Sequence, residues 1–186
     1  MDKSAWRARA KADRLNLVID SAGHCRAIET FLSATVPAEL MVVVFDAMPG
    51  EVDLSQLPAD HADPSARYAV TRTPEEGFQL TVHPVGGPTE QHRYGYIQPT
   101  ADAPQVADDR IGAVLVPALA FAANGDRLGR GMGYYDRFLA RLGGSGRDVL
   151  FIGVTGGYVV ESLPTDSYDV PMTHLATADS VVAVSG

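Results

Sequence analysis

The sequence predicts a three-layer α/β/α sandwich with a mostly parallel sheet. Three continuous apolar runs, at 40–45, 111–116 and 149–154, have the length and composition of strands that are buried on both faces. Helical patterns separate these runs, and buried strands that alternate with helices are typical of a parallel sheet covered on both sides. A chain of 186 residues suits one hydrophobic core, so we expect a single domain over 1–186.

The N-terminal half predicts two helices followed by the first buried strand. Basic residues at 3, 7, 11 and 14 recur at helical spacing and would share one helix face. Pro49-Gly50 ends the buried strand because neither residue continues it readily. The elements expected here are helices over 3–19 and 24–33, a strand over 40–45, a short helix over 55–60, and strands over 68–71 and 78–83 around a turn at 74–77.

The C-terminal half predicts a long loop, two further buried strands and a glycine-rich connection. Residues 84–110 are rich in glycine, proline and polar residues, and a loop of that length is usually functional or partly folded. The elements expected after it are a strand over 111–116, a glycine-rich loop after Phe121, a helix over 134–142, a strand over 149–154, a helical segment over 159–163 and a final strand over 175–184.

The charge distribution favours a small anionic ligand over a nucleic acid. The chain carries a net charge of −8, yet residues 1–14 hold five basic residues against two acidic ones, so the remainder carries −11. Such a surface repels a polyanion. The sequence has no apolar run of the roughly 20 residues needed to span a bilayer and no secretion signal, so we expect a cytoplasmic protein without a membrane partner. The single cysteine, Cys25, is interpreted as a buried thiol rather than a nucleophile.

The segment 124–139 has the composition of a polyphosphate site. It contains four glycines, with Arg127 and Arg130 inside the glycine run, and a helical pattern follows. Glycines let backbone amides approach an anion, the helix directs its positive end there, and guanidinium groups add bidentate hydrogen bonds. The strand over 111–116 runs towards this loop, where ligands of parallel sheets bind. The alternative is a flexible connection with solvated arginines.

Several other residues have two readings. Asp136 could hold magnesium or simply complement the helix dipole. Tyr134 or Tyr135 could stack on a ligand or pack in the core. Glu51 could bind a substrate or lie on the surface, and the basic N-terminal helix face could contact an anion or be solvated. Asp126 is expected to serve the turn at Asn124-Gly125.

The most distinctive of these segments resemble the 5-formyltetrahydrofolate cyclo-ligase family. Residues 115–121 and 125–139 look like its hallmark. Weaker similarity extends to Lys3-x-x-x-Arg7, Gly50–Asp53, Gly95–Pro99, Ile152-Gly153, Leu163-Pro164 and Tyr168-Asp169. Gln98 stands where the resemblance predicts an acidic residue, and the middle of the chain, 55–110, matches poorly.

The resemblance implies an ATP-dependent ligase that converts 5-formyltetrahydrofolate into 5,10-methenyltetrahydrofolate, with ADP and phosphate as the other products. It also implies ATP and a reduced folate as small-molecule partners, Mg²⁺ as cofactor, and a monomer or weak homodimer. Two alternatives are a paralogue that uses the same ATP site on another small molecule and a non-catalytic protein that binds folate or nucleotide.

The resemblance assigns roles to individual residues. The catalytic residues would be Arg130, Tyr134 and Asp136, the folate would contact Glu51, Arg130 and Tyr134, and magnesium would be held by Asp136 and Asp169. The ATP contacts would come from Lys3, Arg7, Arg127, Leu128, Gly129, Arg130, Gly131, Met132, Gly133, Tyr134 and Tyr135.

Overall fold

The computed structural model describes residues 2–14, 17–93 and 95–184. The helices are α1 (Lys3–Arg14), α2 (Ser21–Thr35), α3 (Gln56–Ala59), α4 (Pro64–Arg67) and α5 (Tyr134–Gly143), with a 3-10 turn at Asp108–Arg110. The strands are β1 (Met41–Val44), β2 (Tyr68–Arg72), β3 (Thr81–Pro84), β4 (Thr89–Gln91), β5 (Ile97–Pro99), β6 (Ile111–Val116), β7 (Ala120–Ala122), β8 (Arg127–Leu128), β9 (Leu150–Val154), β10 (Val159–Val160), β11 (His174–Ala176) and β12 (Val181–Ala183).

The central sheet is mostly parallel, as the sequence predicts. Its strand order is β12-β11-β9-β6-β1-β2-β3. The five inner strands pair in parallel, whereas β12 and β3 pair antiparallel at the two edges. The apolar runs predicted as buried strands form β1, β6 and β9, and every residue of β6 is buried.

Helices cover both faces of this sheet. Successive residues of β1 alternate between two cores: Val43 packs with Phe138 and Leu142 of α5, whereas Val42 packs with Ile28 of α2. This alternation is the pleat of a strand that is buried on both sides. The predicted three-layer α/β/α arrangement is therefore confirmed.

A small second sheet brings α1 to the glycine-rich segment. This sheet has the order β10-β7-β8. Ala10 of α1 packs with Ala120 and Leu128 in a third core. The sheet is fastened to the central one at Gly153, where a Cβ atom would lie 2.5 Å from the ring of Phe121. The backbone can approach this closely only because Gly153 has no side chain.

Some predicted elements were wrong. The segment 159–163 is not helical: Val159 and Val160 form β10, which pairs in parallel with β7. The predicted final strand is the hairpin β11–β12, because Thr177 Oγ1 accepts from the amides of Asp179 and Ser180 and turns the chain.

Two further boundaries differ from the prediction. Helix α1 ends at Arg14; residues 15 and 16 lie outside the described part of the chain, and 17–19 are not helical. The predicted loop over 84–110 contains the β4–β5 hairpin and a 3-10 turn. No helix in the described ranges is long and apolar enough to cross a bilayer.

Candidate functional site

The glycine-rich loop, residues 129–133, connects β8 to the N-terminus of α5. Gly131 and Gly133 have φ angles of +105° and +69°, which residues with a Cβ rarely adopt. Gly133 is the N-cap residue of α5 and offers no side-chain cap, so the positive end of the helix faces this loop. The turn before the loop is fixed by Asn124 and Asp126, whose side chains bond to each other, as expected for Asp126.

Arg127 lies beneath the loop rather than on it. Its side chain is 5% exposed and pairs with Asp136 at 2.5 Å between Nη2 and Oδ1. Its guanidinium lies 5.7 Å from the ring centre of Tyr135, and its buried Nε has no hydrogen-bond partner within the described residues. A Cβ at Gly129 would lie 3.1 Å from Arg127 Nη1, so the absence of a side chain at 129 lets the loop rest on the guanidinium.

Arg130 and Glu51 form an ion pair at the surface of the site. Arg130 Nη2 donates to Glu51 Oε1 at 2.7 Å, and the Glu51 side chain is 5% exposed. The other carboxylate oxygen, Oε2, accepts from the amide of Met48 at 3.0 Å. Two residues that the sequence places 79 positions apart are therefore in contact, and both oxygens of Glu51 are engaged.

Arg14 fixes the turn that carries Glu51. Its guanidinium donates to the carbonyl of Gly50 and, at 2.9 Å, to that of Ala118. The first carbonyl belongs to the Glu51 turn and the second precedes β7, so one buried side chain joins both to α1. The sequence placed Arg14 on a basic helix face but indicated no role for it, because its partners are backbone carbonyls of distant segments.

Lys3 and Arg7 extend the site from the same helix. Arg7 Nε donates to the carbonyl of Gly129 at 3.0 Å, and a Cβ at Gly131 would lie 3.3 Å from the Arg7 guanidinium carbon. Lys3 Nζ lies 2.6 Å from Asp166 and 2.5 Å from Asp169. Burial lowers the pKa of Lys3, but the hydrogen bonds to the two carboxylates outweigh it and raise the pKa overall.

Asp166 is held in place by several contacts, although the sequence indicated only a turn. Its carboxylate accepts from Lys3 and, at 2.9 Å, from the hydroxyl of Tyr168. These two hydrogen bonds, with that from Lys3 the stronger, lower the pKa of Asp166. Its amide donates to Asp169 at 2.8 Å, which ties the two acidic residues into one turn.

The remaining predicted contacts differ in how far they can reach a ligand. Met132 is 45% exposed and lies in the loop. Tyr134 is half-buried against Phe78, with 5.9 Å between ring centres, and Tyr135 is half-buried, with burial raising the pKa of its hydroxyl. Leu128 is 1% exposed, and its carbonyl accepts from Leu119, so its side chain offers no surface to a ligand.

The two predicted metal ligands are each paired with a cation, Asp136 with Arg127 and Asp169 with Lys3. In the described part of the chain, no three His, Cys, Asp or Glu residues gather into a group that could hold a metal ion. Magnesium is usually held by one or two carboxylates together with substrate phosphates and water. Asp136, and Asp169 beside Asp166, fit an ion of that kind, which a nucleotide would bring with it.

A cavity of about 430 Å³ opens where β1 and β2 end. It is lined by residues 44–47 and Val70, by the segment 84–89 and by β5. Residues 44–47 lead directly into the turn that carries Glu51. The sequence did not indicate this cavity, because one of its walls lies in the segment 84–110, which was predicted as a loop.

Comparisons with known proteins identify the family of this chain. A sequence model of the 5-formyltetrahydrofolate cyclo-ligase family matches residues 50–178. The chain is 39% identical over 64 residues to a 5-formyltetrahydrofolate cyclo-ligase of Mycolicibacterium smegmatis, covering 34% of this chain and 32% of that protein. It is 34% identical over 89 residues to the enzyme of that name from Haemophilus influenzae, covering 46% of each chain. The chain thus spans about a third to a half of the length of these curated relatives.

Solved structures match over nearly the whole chain. The NMR structure of a 5,10-methenyltetrahydrofolate synthetase from Aquifex aeolicus has a TM-score of 0.73 at 27% identity and covers 100% of this chain and 94% of that one. A 5,10-methenyltetrahydrofolate synthetase from Mycoplasma pneumoniae has a TM-score of 0.72 at 17% identity, covering 96% and 99%, and supports the fold alone. Because the family match spans more than half of its residues, the chain belongs to the 5-formyltetrahydrofolate cyclo-ligase family.

Proposed function

We propose that the protein catalyses the ATP-dependent cyclisation of 5-formyltetrahydrofolate to 5,10-methenyltetrahydrofolate, with release of ADP and phosphate. The observation that carries this proposal is the contact between Arg130 and Glu51. Arg130 belongs to the loop suited to phosphates, and Glu51 is the carboxylate suited to a pterin. The reaction needs a phosphoryl group and a folate side by side, and this contact would bring the two proposed half-sites together.

The nucleotide half of the site would use the loop 129–133 together with α1. Backbone amides beside Gly131 and Gly133, the N-terminus of α5 and the side chain of Arg7 would supply positive charge from several directions. Lys3 would add to it once its ammonium group moves from Asp166 and Asp169 to a phosphate. Arg127 would support the loop from below, since its guanidinium is buried. Magnesium, when bound, would neutralise phosphate charge, and Asp136 and Asp169 are the carboxylates proposed to hold it.

The folate half of the site would use Glu51, and the aromatic ring of Tyr134 would stack on a ring of the folate. A carboxylate can accept from both the 2-amino group and a ring N–H of a pterin. The turn around Glu51 is held by Arg14, so the carboxylate is pre-positioned rather than mobile. The cavity of about 430 Å³ continues from the same segment and is proposed to receive the rest of the folate.

The chemistry needs positioning and charge neutralisation more than covalent catalysis. The formyl oxygen attacks the γ-phosphorus and ADP leaves, so an imidate-like phosphate forms at N5. N10 then attacks the formyl carbon and gives its proton to the phosphate or to water. The carbon–oxygen bond breaks, and phosphate departs with the former formyl oxygen. Arg130 would stabilise the charge on the transferring group, since it reaches the site from the loop while bonded to Glu51.

We further propose that residues 1–186 act as one domain, as a monomer or weak homodimer in the cytoplasm, and on small molecules rather than nucleic acid. The net charge of −8 supports the last point.

A single assay tests the activity. Purified protein, MgATP and 5-formyltetrahydrofolate should together produce the near-ultraviolet absorbance of methenyltetrahydrofolate, and omission of ATP should abolish it. ATP binding without this absorbance would favour a paralogue with another substrate. Binding of both ligands without turnover would favour a non-catalytic protein. Either outcome would overturn the proposed function.

A further inference from the structure

The β4–β5 hairpin forms one wall of the large cavity but stands apart from the central sheet. Thr89, Ile97, Gln98 and Pro99 of this hairpin line the cavity. Its two strands pair with each other as a separate two-stranded sheet and share no ladder with the central sheet among the described strands. Side-chain contacts, together with the short connection 85–88 from β3, therefore set the position of this wall.

The side chains of Arg72, Glu90 and Gln98 attach the hairpin to the end of β2, beside a hydrogen bond of 2.7 Å between the hydroxyls of Thr73 and Tyr96. Glu90 and Gln98 face each other across the hairpin, and Gln98 Nε2 donates to Glu90 Oε1 at 3.1 Å. The same oxygen lies 3.0 Å from Nη2 of Arg72, the last residue of β2. Gln98 Oε1 accepts from the amide of Thr73 at 3.1 Å, so the Gln98 amide is bonded at both ends to neighbouring protein groups.

The burial of Arg72 and Gln98 favours one geometry of the cluster, although the side chain of Glu90 is 42% exposed. Gln98 is 3% exposed and Arg72 is 6% exposed. A charged group and an amide are costly to bury unless their partners are well placed, so such clusters tolerate little displacement. Gln98 also lines a second cavity of about 250 Å³ beside the hairpin. Its side chain therefore lies between this second cavity and the large one.

A second attachment aligns the hairpin with the Glu51 segment. The amide of Ile97 donates to Asp46 Oδ2 at 3.0 Å. Asp46 follows β1 and lies five residues before Glu51 in the chain. Arg72 thus attaches the hairpin to β2 on one side, and Asp46 attaches it on the other side to the segment that carries Glu51.

We infer that Arg72, Glu90 and Gln98 are positioning residues that hold the β4–β5 hairpin as the wall of the folate cavity and thereby determine affinity for the reduced folate. The inference about folate rests on the proposed function. The inference about the position of the hairpin rests on the contacts alone. None of the three residues needs to touch the reacting atoms.

The test introduces a like charge without changing size. Gln98→Glu removes the donor that faces Glu90 and sets two carboxylates side by side. The acidic residue that the resemblance predicts at 98 is therefore unfavourable in this chain because Glu90 lies opposite. It should raise the KM for 5-formyltetrahydrofolate about tenfold and leave the KM for MgATP within about twofold. Gln91→Glu makes the same chemical change on the exposed side of the same hairpin and should leave both KM values unchanged.

A double variant separates positioning from general damage. Glu90→Gln/Gln98→Glu restores one amide and one carboxylate beside Arg72, and it should return the folate KM to within about threefold of the parent value. Hydrogen exchange at the amides of 89–91 and 97–98 should accelerate in Gln98→Glu and recover in the double variant.

The outcomes separate the two inferences. Unchanged exchange in Gln98→Glu, an equal rise in both KM values, or failure of the double variant to recover would each overturn the positioning role. A parent protein without turnover would overturn the proposed function, while the exchange data would still decide whether the cluster positions the hairpin.

Discussion

Replacement of Glu51 by glutamine tests the link between the two halves of the site. Glutamine keeps the size of the side chain but removes its charge. In the parent protein the carboxylate accepts from Arg130 at 2.7 Å and from the Met48 amide at 3.0 Å. An amide has one acceptor oxygen, so its NH₂ group must face one of these two donors.

The size of the effect on folate binding follows from the hydrogen bonds that the Glu51 carboxylate is proposed to make to the pterin. A hydrogen bond to a charged group contributes about 1.5–3 kcal/mol, and 1.4 kcal/mol corresponds to a factor of ten, so folate affinity should fall about 10- to 100-fold. The unpaired donor should also cost about 1–3 kcal/mol of stability. For a chain of this length that lowers Tm by about 2–12 °C.

Steady-state kinetics with each substrate varied in turn measures the effect, and thermal unfolding measures the stability loss. Glu39→Gln is the control, because Glu39 is exposed and precedes β1 at the opposite end of the strand. The KM for folate should rise far more than the KM for MgATP. An equal loss for both substrates, or an unchanged folate KM, would refute the assignment of Glu51 to the folate.

Three further predictions concern Arg130, the glycine-rich loop and the pH dependence of stability. Arg130→Ala should lower kcat about 100-fold or more, since it removes charge that acts mainly in the transition state. Arg26→Ala, on the exposed side of α2, should leave kcat unchanged. A near-normal kcat of Arg130→Ala would show that Arg130 is not catalytic. Gly131→Ala should raise the KM for MgATP and destabilise the fold by about 1–3 kcal/mol, because φ is +105° and the new Cβ meets a guanidinium. Gly146→Ala, with φ of +72° and open space around it, should show the backbone strain without the loss of ATP affinity. The same KM for MgATP in the two variants would contradict a nucleotide role for the loop. Burial lowers the pKa of His174 below its ordinary 6.5. Its contribution to stability is therefore complete above pH 6.5 and is lost as the pH falls through the lowered pKa. His174→Gln should lessen the loss of Tm between about pH 7 and about pH 5, and the same loss of Tm in the variant and the parent would show that other groups cause the decline.

The central sheet could be predicted because its signal is local. Strands such as β6 are buried on both faces, so they appear in the sequence as unbroken apolar runs. The short strands carried no such signal. Val159 and Val160 are strand residues only because they pair with β7, and the β11–β12 turn depends on one threonine hydroxyl.

The site was predictable in composition but not in arrangement. The glycines at 131 and 133 predict a tight loop, because a backbone with positive φ favours glycine. The ion pair between Arg130 and Glu51 could not be inferred, since it joins residues 79 apart in sequence. The burial of Arg127 was equally hidden, because an exposed and a buried arginine look alike in a sequence.

Transfer of isotope from the formyl group to phosphate tests the central claim most directly. With 5-formyltetrahydrofolate labelled with ¹⁸O in the formyl oxygen, the mechanism predicts that each phosphate released carries one labelled atom. Mass spectrometry of the phosphate from a single turnover with MgATP reads this out. Unlabelled phosphate, formed together with methenyltetrahydrofolate, would contradict attack by the formyl oxygen at the junction of Arg130 and Glu51.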